Sequence, residues 1–185
     1  MTASSPRGAA GQLAQLEPLP AEFYQRDVLE VAPDLLGALL CRRLPNGQVM
    51  ARRVTEAEAY RGEADSACHA RAGRTPRTAV MYGPAGRAYV YLCYGIHHLL
   101  NVVTGPEGEP QAALLRGIEG AAGPGRLTKA MGIDLALNGA SLLGAQDLWL
   151  AAAPGPPPGV ERGPRVGIGY ATPQDQARPW RFQAR

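Results

Sequence analysis

Residues 38–60 read ALLCRRLPNGQVMARRVTEAEAY, and their layout decides the architecture. Pro45-Asn46-Gly47 is a turn signal, because Asn-Gly tolerates the left-handed backbone that a tight reversal needs. The runs on either side, Ala38 to Leu44 and Gln48 to Tyr60, read as extended. Further along, Gly83-Pro84-Ala85-Gly86 turns into a β-rich run from Arg87 to Tyr94. Gly95 breaks that run, Leu99 to Val103 resumes it, and Gly105 to Pro110 turns before Ala112 to Ile118. Hairpin spacings dominate. The expected fold is α+β: a single compact domain with a curved, mostly antiparallel β-sheet flanked by helices.

Helical signals are fewer. Ala21 to Leu40 predicts a helix with Pro33 in its first turn and Leu35, Leu36, Leu39 and Leu40 as a buried stripe. Gly123-Pro124-Gly125 opens a second helix over Leu127 to Met131, and a short one is expected near Ala140. Ala153 to Gly159 is a proline-glycine linker. Val166 to Tyr170 and Trp180 to Phe182 read as closing strands.

The 185 residues suffice for one domain with its own core, read as 19–185 behind a flexible N-terminal tail, 1–18. No apolar run is long enough to span a bilayer, and Met1 to Pro18 lacks the layout of a secretory signal. Cys41, Cys68 and Cys93 are far apart with no CxxC pair, which argues against a disulfide framework or a structural zinc site. A cytoplasmic protein is expected, nucleoid-associated if bacterial. His97 and His98 are adjacent and face opposite ways on a strand, so they make poor co-ligands, and no metal is expected.

The net charge of +3 matters less than its layout. Between Asp65 and Glu107 there is no Asp or Glu, while Arg71, Arg74, Arg77 and Arg87 fall inside. Of 19 basic residues only Lys129 is a lysine. Arginine's planar fork suits phosphate, so this stretch is a candidate polyanion-facing surface.

On a strand, Glu56, Glu58 and Tyr60 share one face, with neighbours about 6.6 Å apart along it. That arrangement suits a carboxylate base beside a ring platform. It equally permits a glycosidase-like acid/base pair, or two glutamates on a solvated edge. His69 lies beside Cys68 in the basic loop, where it could orient a ligand. Tyr89, Tyr91 and Cys93 share another strand face, and Tyr94 falls at a hairpin tip. Asn101 and Arg116 interrupt otherwise apolar runs, and a buried polar residue needs partners.

In order, Glu56-Ala-Glu58-Ala-Tyr60, His69, Thr75-Pro76-Arg77, Tyr91-x-x-Tyr94-Gly95, Asn101, Leu114-Leu115-Arg116 and Arg165-Val166-Gly167 resemble the alkyladenine (3-methyladenine) DNA glycosylase family, from about Leu19 to Phe182. The resemblance implies a mixed α/β fold and a set of roles. Glu58 matches the general base that deprotonates water for attack on the sugar C1′. Arg116, with the backbone carbonyl at Val166, matches the groups that hold that water. Tyr60, His69 and Tyr91 match the pocket around a flipped purine, and Asn101 the residue that disfavours guanine. Tyr94 matches the wedge inserted where the base left the stack. Arg71, Arg74 and Arg77 are expected on the DNA backbone.

The implied activity is base excision without a cofactor. Alkylated or deaminated purines are flipped from duplex DNA by a monomer and hydrolysed off, leaving an abasic site. Flipping costs a few kcal/mol, and stacking on an aromatic ring returns roughly 1–3 kcal/mol. Glycosylases that also cut the strand use an amine, and Lys129 lies outside the pocket strands, so no lyase step is expected. Two departures from the family pattern are His97-His98, where bulkier residues are expected, and Tyr170, where a histidine is common. Two other readings remain open: a carboxylate-pair hydrolase of a free glycoside or nucleoside, and a non-catalytic lesion-DNA-binding module.

Overall fold

A computed structural model describes residues 16–185. The expected tail, 1–18, therefore lies outside the described residues except at its end. There the Leu16 carbonyl accepts from the Trp149 indole and Pro18 bridges Ala151.

The first helices of the described residues are α1 (Ala21–Tyr24) and α2 (Val28–Asp34). The Asp27 side chain caps α2 by accepting from the Leu29 N–H. Pro33 lies in the last turn of α2, not the first, because Asp27 sets the start further upstream than the proline alone suggested. The leucine stripe is accordingly split: Leu35 and Leu36 are buried after the helix, whereas Leu39 and Leu40 belong to strand β1 (Leu39–Arg43).

The hairpin around Pro45-Asn46-Gly47 joins β1 to β2 (Val49–Arg61). β2 organises the sheet. Its first half pairs with β1, and its second half pairs with β5 (Gln111–Ile118) along one edge and β9 (Arg181–Ala184) along the other. β3 (Ala88–Cys93) and β4 (His97–Thr104) complete the antiparallel order β3-β4-β5-β2-β1-β7, where β7 is Leu148–Ala151. The short β6 (Ala121–Ala122) adds to β5, and β8 (Val160–Gly163) to β9. Helix α3 (Pro124–Met131) and helix α4 (Pro173–Ala177) complete the α+β domain. Among the described residues, nine strands form a curled half-barrel flanked by four helices.

A register shift in β2 localises the bend. Val54 pairs with Ile118, Glu56 with Gly117 and Ala57 with Leu115, so Thr55 and Arg116 fall in the irregularity. Gly117 makes this possible, since a Cβ there would stand 2.8 Å from the Thr55 hydroxyl.

Strand alternation then sorts the two faces. Ala57 and Ala59 of β2, Val90 of β3, Leu100 and Val102 of β4 and Leu115 of β5 pack with α2 and α3 into the main core. Their neighbours Glu58, Tyr60, Tyr89, Tyr91, Asn101 and Arg116 project from the other face. One sheet thus builds the core with its odd or even residues and the cleft with the rest.

Two expected elements differ. Val166 to Tyr170 is not a strand: Gly167 takes a left-handed φ of 75° and the segment turns. Near Ala140 there is a single helical turn at Leu135–Leu137, held by the Asp134 side chain, in place of a helix. The strand β7 and helix α4 were not anticipated. Among the described residues no helix is long and apolar enough to cross a membrane.

Candidate active site

Glu58 has no exposed surface. Its Oε1 accepts from the Val166 backbone N–H at 2.7 Å, and its Oε2 from the Tyr60 hydroxyl at 2.9 Å. Arg116 Nε lies 3.4 Å from Glu58 Oε1 and 3.1 Å from Glu56 Oε1, so one guanidinium serves both carboxylates. Arg181 Nε closes on the same Glu56 oxygen at 2.8 Å.

The two glutamates share a face, as alternation requires, yet they are chemically unlike. Glu56 is held by two cations. Glu58 has one cation at longer range, and burial raises its carboxyl above the usual range while Arg116, the Val166 N–H and the Tyr60 hydroxyl oppose that rise. The hydroxyl of Tyr60 is itself raised well above the ordinary phenol value, by burial first and the Glu58 charge second, so it stays a donor.

The three groups that contact Glu58, namely Tyr60, Arg116 and Val166, all line an open cleft of about 1170 Å³. Tyr60 also lines a smaller pocket with Cys68, His69, Tyr91, Asn101 and Tyr170. His69 packs edge-on to Tyr91 with centroids 4.6 Å apart, and its Nδ1 lies 3.0 Å from the Tyr89 hydroxyl. Burial, then the charges of Arg77 and Arg71, lower His69 to about 4, so the ring is neutral at neutral pH. Asn101 donates its amide to the Tyr89 carbonyl at 3.1 Å. Neutral rings, the Asn101 amide and small or apolar side chains such as Met81 and Ala112 wall the pocket.

The β3–β4 hairpin turns on Tyr94 and Gly95, with φ of 50° and 70°, and the Ile96 N–H returns to the Cys93 carbonyl. Cys93 stands opposite His97, so Tyr94, Gly95 and Ile96 form a three-residue loop whose first two residues reverse the chain with positive φ. Tyr94 is the only non-glycine with positive φ among the described residues, and it is 91% exposed. Such a conformation costs on the order of 1 kcal/mol and tends to gather at functional positions.

Arg71, Arg74 and Arg77 are all exposed, each over a tyrosine ring: Tyr170, Tyr82 and Tyr91 respectively. Arg71 and Arg77 line the cleft, and Arg74 does not.

Sequence reasoning missed the scaffold behind the site. Arg165 is fully buried and donates to both oxygens of Asp65 at 2.6 and 2.9 Å and to the Ala59 carbonyl at 2.9 Å. Its guanidinium lies between the rings of Tyr60 and Trp180. This pair ties the segment bearing Val166 to β2, which aims the Val166 N–H at Glu58. The only signal was Arg165 preceding Val166 in the quoted triplet; nothing in the spacing pairs it with Asp65. Tyr89 and Tyr170 were also underread: one anchors His69, and the other donates to the Ala67 carbonyl at 2.8 Å. Among the described residues no three His, Cys, Asp or Glu side chains gather as a metal site.

A family model for methylpurine-DNA glycosylase (MPG) matches residues 22–122 and 119–185. A protein of Anaeromyxobacter dehalogenans is 50% identical over 174 residues, covering 90% of this chain and 83% of its own. Proteins of Methanocella arvoryzae and Nitrosococcus oceani are 46% and 44% identical, each over 89% of this chain and 90% and 88% of their own. All three bear the name "Putative 3-methyladenine DNA glycosylase". These matches cover nearly all the described residues, and on them the chain belongs to the methylpurine-DNA glycosylase family.

Proposed function

We propose that this chain, a DNA repair glycosylase and hydrolase by family, excises alkylated or deaminated purines from duplex DNA and stops at the abasic site. The observation that carries this reading is Glu58, a fully buried carboxylate whose three contacts form the wall of a cleft that runs into an aromatic pocket.

In the proposed reaction the flipped purine enters between Tyr60, His69 and Tyr91. A water bounded by Arg116 and the Val166 backbone attacks C1′ while Glu58 takes its proton. The new C–O bond forms as the C1′–N bond breaks, and the bonding pair leaves with the base. A 3- or 7-alkylated purine is cationic, so it departs neutral and needs no acid. Ionised Glu58 also faces the positive charge that grows on the sugar. Arg116 opposes the rise that burial imposes on Glu58, and Glu56 holds Arg116 from its other side.

Tyr94, strained and solvent-exposed, suits the wedge that fills the vacated stack. Lys129, the only lysine, sits on α3 across the sheet from the cleft, which supports hydrolysis without a Schiff base. The engagement of Glu56 by Arg116 and Arg181 disfavours it as the second, proton-donating acid of a glycosidase. The test is base release from duplexes bearing 3-methyladenine, 7-methylguanine, hypoxanthine or ethenoadenine. Release of free base with the strand intact until alkali is expected. Binding without release, or release from free nucleosides alone, would overturn the reading.

A further inference from the structure

The basic loop before β3 is matched by a second cationic surface on the other side of the same hairpin. Helix α3 packs on the sheet face opposite the base pocket, where Leu127 and Met131 join Val90, Leu100 and Val102 in the core. The Thr128 hydroxyl donates to the His98 carbonyl at 2.6 Å. Gly125 permits the close approach, since a Cβ there would stand 3.0 Å from the His97 ring. Between helix and hairpin tip runs a groove of about 710 Å³, lined by Ile96, His97, His98, Arg126 and Lys129 among others, with no acidic side chain.

Arg126 and Lys129 stand one helical turn apart, are exposed, and also line the adjoining hollow beside Ala122. The nearest acids in sequence are turned elsewhere: Glu119 lies 3.8 Å from Arg53, and Asp134 accepts from the Ala136 N–H. Among the described residues no ion pair involves Arg126 or Lys129, so none has to break before these cations meet an anion. The wedge residue Tyr94 therefore projects between two basic surfaces, Arg71 and Arg77 on the pocket side and Arg126, Lys129 and His97 on the helix side.

We propose that the α3 groove is a second phosphate-binding surface, which seats the DNA backbone on the side of the wedge away from the base pocket. The inference rests on the DNA glycosylase reading and extends it. A duplex parted at the hairpin tip sends its backbone in both directions, and the cleft arginines alone would hold one flank. Arg126 and Lys129 hold the other through charge, without reading bases. This gives a use to His97-His98 and to the single lysine, neither of which the excision chemistry employs.

The test compares the wild type with Arg126→Gln/Lys129→Gln, which removes both charges while keeping polar, good helix formers. Duplex affinity is measured as a function of salt, on undamaged and lesion DNA alike. The variant should bind both more weakly, with a log–log salt slope shallower by about 1 for each residue changed. Single-turnover base release at saturating DNA should match the wild type. An Arg126→Ala/Lys129→Ala variant checks the result if the glutamines alter melting. Wild-type affinity and slope in a folded variant would overturn the α3 surface while leaving the glycosylase reading standing. Absence of salt-dependent duplex binding in the wild type would overturn both.

Discussion

Glu58 and Asp65 lie close together in the chain, both buried beside Tyr60, and the fold treats them in opposite ways. Asp65 receives both nitrogens of the Arg165 fork, plus the Arg61 and Ala67 N–H groups. Its neighbour Asp175 is equally well served: the Ser66 hydroxyl, above all, pulls that carboxyl well below the usual range in spite of burial. Glu58 receives one hydroxyl, one N–H and a share of Arg116, and there burial prevails. Matched charge and donors make a clamp. A carboxylate left short of partners instead has its proton affinity raised, which is what the proposed role as base calls for. The clamp holds the segment that carries Val166, so the saturated site serves the unsaturated one.

The comparison is broken most forcefully by Glu58→Gln. Loss of a positioned base should cut single-turnover release about 10²- to 10⁴-fold while lesion binding persists. The same variant should melt higher than the wild type at neutral pH, because it removes a buried charge. The sign follows from the raised folded pKa: protonation relieves the burial penalty, so the variant's advantage shrinks as pH falls through that value. Wild-type release should fall over the same acidic limb. Asp175 acts in reverse, contributing stability above its unfolded pKa and losing it only as pH drops through its depressed folded value. Activity should thus disappear on acidification before the fold does. His69 does not blur that limb, since it titrates near 4. Equal melting of Glu58→Gln and wild type at every pH would show that Glu58 is no less satisfied than Asp65.

The clamp side is tested by Asp65→Asn. It strands the buried Arg165 guanidinium, a change that costs about 3–5 kcal/mol when one partner of a buried pair is removed. Denaturant unfolding should report that loss, and release at a temperature where the variant is folded should fall far less than in Glu58→Gln. A loss below about 1 kcal/mol would mean the pair is not what anchors the Val166 segment.

How much of this was legible beforehand follows from range. Alternation along β2 placed Glu58 and Tyr60 on one face, and the Asn46-Gly47 turn fixed the hairpin that carries them. The Gly95 break put Tyr94 at a tip. These are local rules acting within a few residues. Arg165 reaches Asp65, and Val166 reaches Glu58, from some 100 residues away, and periodicity carries no information about such pairings. The β2 irregularity was hidden for a related reason: Gly117 looks like an ordinary strand glycine until Thr55 is seen across from it. Pro33 misled because proline is welcome at a helix start, while Asp27 had already set that start. The family resemblance supplied roles for Glu58 and Arg116. It gave no hint that Glu56 would hold Arg116 from the other side.

The smallest effect on stability belongs to the third region, the hairpin tip, where strain replaces charge as the device. Tyr94 adopts a left-handed backbone with its ring in solvent, so its side chain contributes little packing to offset the strain. Tyr94→Gly should leave the free energy of unfolding unchanged or raise it by up to about 1 kcal/mol, because glycine enters this region freely. Tyr94→Ala keeps the strain and should not share the gain. Both should weaken binding of a paired lesion, where the stack must be opened, more than binding of the same lesion in single-stranded DNA. Equal losses on the two substrates would remove the wedge role. A clear fall in stability for the glycine variant would instead show that the ring braces the hairpin, and the strain would then need a structural explanation.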